Sequence, residues 1–344
     1  MKKLLLIICC MSFFTLNVNA SYVLMNQKNN VVYSESKMHE KRLIASITKV
    51  MTAYIVINNV KNLDELITVG DEIDSAHGSS IYLKKGEVLS VRDLLYGMML
   101  RSGNDAAIVL AKHTSGTVDD FVNLMNKEAK NLGMNDTVFY NPTGLDDDIK
   151  GNISSAYDMA LLTSKAVTND VFKMIFKTKH YKCKSNFKSY DWYNKNKTLY
   201  MEKFVTGGKT GFTKKARRTL ITTASKNNID LVLVTLNYSD DFNFHVNTYK
   251  SFYNSYQSYL ILNKNNLPIK DKYYMRYNCT YFIRDNYYIV ENKNNLKNYK
   301  IDFIIYKNVK HQNNINVGKT IVYKNNKVFE EYPIYLRCSS ERFY

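Results

Sequence analysis

The most constraining feature of this chain is the position of its strand-like segments, which flank a long helical stretch instead of following one another. Near the start, Tyr22-Val23-Leu24-Met25 and Val31-Val32-Tyr33 are short apolar runs around the turn-forming residues 26–30. Two hundred residues later, 219–224 and 231–237 are β-branched runs joined by the turn Lys226-Asn227-Asn228. Between these lie an apolar-rich helix over 46–60 and a second helix that opens at the capping box Ser90-Val91-Arg92-Asp93 and reaches about Leu100. After a glycine-containing break at 101–104, helical spacing resumes over 105–113. A further helix, 119–132, is closed by Gly133. Residues 244–259 again carry aromatic side chains at helical spacing. Strands at both ends and helices in the middle predict one antiparallel sheet with helices packed on it, an α/β (α+β) fold.

The pattern changes from about residue 262. Short apolar-aromatic runs such as Tyr281-Phe282-Ile283, Phe303-Ile304-Ile305-Tyr306 and Thr320-Ile321-Val322-Tyr323 alternate with Lys/Asn-rich turns, the rhythm of a small all-β domain. At the other end, Lys2 and Lys3 precede an apolar run over 4–16, and Val18-Asn19-Ala20 ends in a small residue. These are the parts of an export signal, too short to span a bilayer well. The expected organisation is therefore a signal over 1–20, a main domain over 21–261 and a β-rich domain over 262–344. The final ten residues are too short and too polar for a membrane-anchoring helix, so a soluble or loosely wall-associated protein is expected outside the cytoplasm.

Beyond the signal the cysteines are Cys183, Cys279 and Cys338, an odd count with no Cys-x-x-Cys spacing and no Cys/His cluster. They read as three buried free thiols, with Cys279–Cys338 the one pairing left open if the two fall on neighbouring strands; no metal is expected. The formal charge is +17, in a sequence rich in Lys, Asn and Tyr. Such a surface is drawn to anionic wall polymers or lipid headgroups. No nucleic-acid motif accompanies the charge, so nucleic acid is not an expected partner.

Three short stretches carry chemistry. In Ser46-Ile47-Thr48-Lys49, residues three apart on a helix share a face, so the Lys49 amine reaches the Ser46 hydroxyl. A serine needs an adjacent base to be a good nucleophile, and a desolvated lysine beside other cations can be neutral enough to serve. Ser102-Gly103-Asn104 occupies the break between two helices, where a glycine permits a turn that turns Ser102 and Asn104 into a cleft. Lys209-Thr210-Gly211 enters a β-rich segment, where a lysine and a threonine can grip a carboxylate and a glycine lets a substrate backbone approach. Each stretch alone has an ordinary structural reading: a helix cap, an interhelical turn, an exposed charged strand. Their order together is specific.

That order resembles the low-molecular-mass penicillin-binding proteins of the D-alanyl-D-alanine carboxypeptidase family. The resemblance runs through Ala45 to Thr52, Leu94-Leu95-Tyr96-Gly97, Asn141-Pro142-Thr143-Gly144-Leu145-Asp146, Ser155-Ala156-Tyr157-Asp158 and Gly208-Lys209-Thr210-Gly211-Phe212-Thr213. It covers about residues 22–260. It implies a β-lactamase/DD-peptidase-like sheet flanked by helices, with a small all-β C-terminal domain. It also implies an acyl-enzyme on Ser46, with Lys49 as base, Ser102 as proton relay and Asn104 orienting Lys49 and the substrate amide. The N–H groups of Ser46 and Phe212 form the implied oxyanion hole; Lys209 and Thr210, beside Gly211, hold the substrate's terminal carboxylate. The implied substrate is a peptidoglycan stem peptide ending in D-Ala-D-Ala, β-lactam antibiotics are covalent inhibitors, and no cofactor is needed. Two positions depart from the family pattern: Thr143, commonly His, and Arg217, commonly Gly. A β-lactamase is disfavoured because no glutamate motif for deacylation lies between Asn104 and Lys209, Glu128 being a poor substitute. An endopeptidase or transpeptidase shares the same motifs. A non-catalytic wall-binding protein is disfavoured by the intact Ser46, Lys49, Ser102 and Lys209.

Overall fold

A computed structural model describes residues 20–147, 150–307, 309 and 312–338. The expected export signal lies, but for Ala20, outside the described residues. The chain forms two compact units, one of residues up to Ser225 with Asp230–Thr248, the other of Lys226–Ile229 with Tyr249–Tyr344.

The first unit is built on a five-stranded sheet in the order Val32–Ser36, Ser21–Asn26, Ile229–Leu236, Arg217–Lys226, Val205–Thr213. The N-terminal strand pairs antiparallel with a strand two hundred residues away, Val23 facing Val234 and Leu24 facing Leu233. These side chains are fully or almost fully buried, and because neighbours along a strand point to opposite faces, both faces of the sheet are covered here. Among the described residues the strand Val205–Thr213 stands at the sheet edge with one neighbour only, and its Lys209, Thr210 and Gly211 lie opposite Ile221, Leu220 and Thr219. An edge strand keeps backbone groups unpaired on its outer side, where an extended peptide can add to it.

The helix Lys49–Asn59 is buried along all but its last turn and runs through the core, as expected of a helix apolar on every face. Ser46 precedes it in a short 3-10 turn, Ala45–Thr48, not in the α-helix itself. The capping box forms with aspartate: the Ser90 hydroxyl accepts from the Asp93 N–H, and the Asp93 carboxylate accepts from the Ser90 N–H. The helix Val91–Arg101 that it opens ends at Ser102, and Asn104–Ser115 follows at once. The helices Ala156–Ala166 and Asp170–Lys177 and the hairpin His180–Lys184/Ser189–Tyr193 were not read from the sequence. Arg217 has φ 60, the left-handed region that glycine favours, which accounts for glycine at this place in the family pattern.

The second unit has its own core around Tyr274, Val317, Val322, Ile334 and Leu336. Its four-stranded sheet runs Cys279–Phe282, Lys327–Cys338, Asn316–Lys324, Tyr299–Ile305, with Gln257–Leu262 paired separately to Tyr287–Glu291. The expectation of three free thiols is overturned here. Cys279 and Cys338 face each other across antiparallel strands and form a disulfide, which leaves Cys183 free. Pairing depends on which strand lies beside which, and cysteine spacing along the chain does not encode that. Among the described residues, no helix is long and apolar enough to cross a membrane.

Candidate active site

Ser46 is held by three elements. The turn that carries it has Ala45 at φ 49, a strained conformation for a residue with a side chain. The Thr219 hydroxyl donates to the Ile44 carbonyl (2.9 Å), which ties the turn to the sheet. The edge strand passes so close that a Cβ at Gly211 would stand 2.9 Å from the Ser46 nitrogen and 2.3 Å from Thr219 Oγ1. Glycine is needed at 211 for this approach of backbone to backbone.

Lys49 is completely buried, and its Nζ is 3.0 Å from Ser46 Oγ, 2.6 Å from Asn104 Oδ1 and 2.6 Å from the Thr143 carbonyl. The Thr143 carbonyl is aimed by its own loop: Asn141 Oδ1 accepts from the N–H of Thr143 (3.1 Å) and of Gly144 (2.7 Å). Because Thr143 acts through its backbone, the departure from histidine there leaves this contact intact. Burial, then the nearby charges of Lys209 and Lys195, hold the Lys49 amine well below the ordinary lysine value. The neutral amine so favoured is a base within reach of the Ser46 hydroxyl proton.

Ser102 and Asn104 bracket the junction between two helices. The left-handed residue there is Ser102 itself, φ 67, and not Gly103, so the expected reason for the glycine is corrected. Gly103 is needed for space: a Cβ would lie 2.9 Å from Asp105 Oδ1 and 3.1 Å from Ile81 Cγ2. Asp105 in turn accepts from the Ser80 hydroxyl (2.5 Å) and the Leu83 N–H (3.0 Å), which pins the segment beside Ser79 to the helix start. Lys209, only 1% exposed, donates to Ser102 Oγ (3.0 Å) and to the Thr210 carbonyl (2.7 Å). Burial, and then Lys195, pull its amine down to about 7.

These groups converge on a cleft of ≈ 350 Å³ whose lining includes Ser46, Ser102, Thr210, Gly211 and Phe212. All three sequence motifs therefore meet in space. Lys49 and Lys209 stand behind Ser46 and Ser102 and do not themselves line the cleft. The cleft also presents residues that sequence reading missed: Ser79, Lys195 and Arg218. Arg218 is steadied by Asp241, whose Oδ1 accepts from Nη2 (2.5 Å), and by the Phe242 ring, 4.8 Å from the guanidinium carbon. Lys195 is partly buried with its amine lowered by burial and by Arg101, and its Nζ lies 3.4 Å from Ser79 Oγ. Nothing near these residues in the sequence marks them, because they reach the cleft from separate segments. Among the described residues, no cluster of His, Cys, Asp and Glu could hold a metal ion.

Comparison with known proteins agrees with this geometry. The family model described as D-alanyl-D-alanine carboxypeptidase matches residues 15–240. The chain is 32% identical over 219 residues to the D-alanyl-D-alanine carboxypeptidase DacF of Bacillus subtilis, a match covering 62% of this chain and 56% of that protein. It is 36% identical over 234 residues to DacC of Escherichia coli, covering 64% of this chain and 57% of the relative. The match thus spans little more than half the length of these curated relatives. In fold, penicillin binding protein 5 from Haemophilus influenzae superposes with a TM-score of 0.74 over 92% of this chain and 96% of that one, at 24% identity. With a family model covering most of the first unit and the motifs gathered in one cleft, this chain belongs to the D-alanyl-D-alanine carboxypeptidase family.

Proposed function

We propose that the protein is a serine-type D-Ala-D-Ala carboxypeptidase that removes the terminal D-alanine of peptidoglycan stem peptides through an acyl-enzyme on Ser46, and that penicillins acylate the same serine. The carrying observation is a fully buried Lys49 whose Nζ is 3.0 Å from Ser46 Oγ, in a cleft bordered by an edge strand.

The substrate peptide adds to the outer side of Val205–Thr213. Its terminal carboxylate meets Thr210, with the charge of Lys209 behind it and Arg218 and Lys195 on the cleft wall. Neutral Lys49 takes the Ser46 proton as Oγ attacks the penultimate carbonyl. The N–H groups of Ser46 and Phe212 receive the developing oxyanion. Ser102, which accepts a hydrogen bond from Lys209, relays to the departing D-alanine nitrogen the proton that Lys49 took from Ser46, and Asn104, whose Nδ2 donates to the His77 carbonyl, holds Lys49. Water then hydrolyses the ester.

Labelling with a fluorescent penicillin tests this directly. Ser46→Ala abolishes labelling and D-alanine release while the melting temperature stays near that of the unaltered protein. Undiminished labelling of Ser46→Ala would place the nucleophile elsewhere.

A further inference from the structure

A neutral Lys49 amine carries two hydrogens and one lone pair, and it takes the Ser46 proton only when the lone pair points at Ser46 Oγ. Two oxygens stand 2.6 Å from Nζ, Asn104 Oδ1 and the Thr143 carbonyl, while Ser46 Oγ is 3.0 Å away. Both short contacts are to oxygens that can only accept, so they engage the two hydrogens and leave the lone pair for Ser46. The aim of the base is therefore set in part by where the Thr143 carbonyl stands relative to Ser46.

Thr143 and Ser46 lie on separate segments, and one buried amide bonds to both. Asn152, 1% exposed, stands at the head of the strand Ile153–Ser154. Its Oδ1 accepts from the N–H of Tyr140 (2.7 Å) and of Asn141 (3.1 Å), and its Nδ2 donates to the Asn141 carbonyl (2.8 Å). These three contacts hold the loop that leads to Thr143. The second Nδ2 hydrogen goes to Thr48 Oγ1 (3.0 Å), in the 3-10 turn of Ser46. The Asn152 backbone carbonyl accepts from the Ile44 N–H (3.1 Å), just before that turn. Every donor and acceptor site of the side chain is thus used, and a fully satisfied buried network of this kind is rigid. The Thr52 hydroxyl adds a tie from the helix of Lys49 to the Pro142 carbonyl (2.7 Å). Loop and turn also meet backbone to backbone: a Cβ at Gly144 would stand 1.9 Å from the Ala45 oxygen.

On the acyl-enzyme mechanism proposed above, on which this inference rests, we propose that Asn152 is a positioning residue. It registers the Thr143 carbonyl against the turn of Ser46 and so points the Lys49 lone pair at the Ser46 hydroxyl. The step it serves is the transfer of the Ser46 proton to Nζ as Oγ bonds to the carbonyl carbon; that proton then passes to the departing nitrogen. Without the tie the amine rotates about its Cε–Nζ bond, and the lone pair faces Ser46 for only part of the time. Asn152 does not line the cleft, so its loss falls on the rate and not on binding.

The test follows acylation of the full chain by a fluorescent penicillin over time at several concentrations. This separates the binding constant, the rate at saturation and the fraction finally labelled. Thr48→Val removes the hydroxyl that Asn152 holds and keeps the branched shape, Thr48→Ser keeps the hydroxyl, and Asn152→Ala removes all the side-chain contacts. The rate at saturation falls about tenfold or more in Thr48→Val and Asn152→Ala, a loss in keeping with a catalytic group misplaced by a fraction of about 1 Å. Binding stays within about threefold, most of the protein is still labelled, and Thr48→Ser keeps its rate within about threefold of the unaltered protein. The double variant Asn152→Ala/Thr48→Val is no slower than Asn152→Ala, because both changes break the same contact. A merely structural Asn152 would lower the labelled fraction and leave the rate of the remainder unchanged, and that result overturns the proposal. Equal losses in Thr48→Val and Thr48→Ser overturn it too. Where Asn152→Ala yields no folded protein, the Thr48 pair decides by the same readings. An unaltered protein that no penicillin labels would sink the acyl-enzyme mechanism and this inference together, whereas unchanged rates in the variants sink the inference alone.

Discussion

At the scale of single residues, the site is a problem in placing like charges. Burial comes first in lowering the amines of Lys49 and Lys209, and neighbouring charges add to it: Lys195 lowers both Lys49 and Lys209, and Lys209 lowers Lys49. Two of the three are wholly buried with only neutral acceptors around their amines, so the protein favours the form of Lys49 that can accept a proton. Lys195→Met tests this arrangement. Removing its charge makes protonation of Lys49 easier, so the folded-state pKa of Lys49 rises. Because acylation needs neutral Lys49, the acid limb of the pH–rate profile for penicillin acylation moves to higher pH. The rate above that limb changes less than the rate on it. An unmoved limb would remove Lys195 from the electrostatics of the site.

At the scale of elements, activity depends on an edge strand and a 3-10 turn in contact through a residue with no side chain. Gly211→Ala puts a methyl group where the Ser46 nitrogen and Thr219 Oγ1 already stand, with backbone on one side and a hydrogen-bonded hydroxyl on the other. Overpacking of this kind costs about 1–3 kcal/mol of stability. The strand and turn must separate to relieve it, which displaces the Phe212 N–H from the Ser46 N–H. A lowered melting temperature together with a greater than roughly tenfold loss in acylation rate is expected, since one misplaced oxyanion donor costs that much or more. Loss of stability with full acylation would show that the separation of strand and turn is not what sets the oxyanion site.

At the scale of the whole molecule, the two units are stabilised differently. The first has a large continuous apolar core, whereas the second has a small core and a disulfide closing a span of 59 residues. By the loop-entropy argument such a link contributes about 4 kcal/mol. Disulfides persist in oxidising compartments, which supports the export read in residues 1–20. Mass spectrometry of the native protein should find a start near Ser21, Cys279 joined to Cys338 and Cys183 alkylatable after unfolding. Adding reductant should lower the melting transition of the second unit. A native protein with three free thiols and an unchanged melt on reduction would contradict both the link and its role.

The sequence by itself determined the local chemistry. Ser46 and Lys49 are three residues apart, so any helical turn there brings hydroxyl and amine together. The Ser90 cap, the helix ends and the strand runs at 219–224 and 231–237 likewise follow from periodicity and capping within a few residues. The motif order made the family legible, and with it the cleft residues Ser102 and Thr210 and the buried Asn104 and Lys209 behind them. What only the tertiary structure decided is what depends on distant segments meeting. The Thr143 carbonyl reaches Lys49 across a sequence separation of 94 residues, and Lys209 reaches Ser102 across 107. Lys195 and Arg218 join the cleft from segments without a motif, and Cys279 faces Cys338 only because their strands are neighbours. Such contacts are selected by burial and register over the whole core, which no short stretch of sequence encodes.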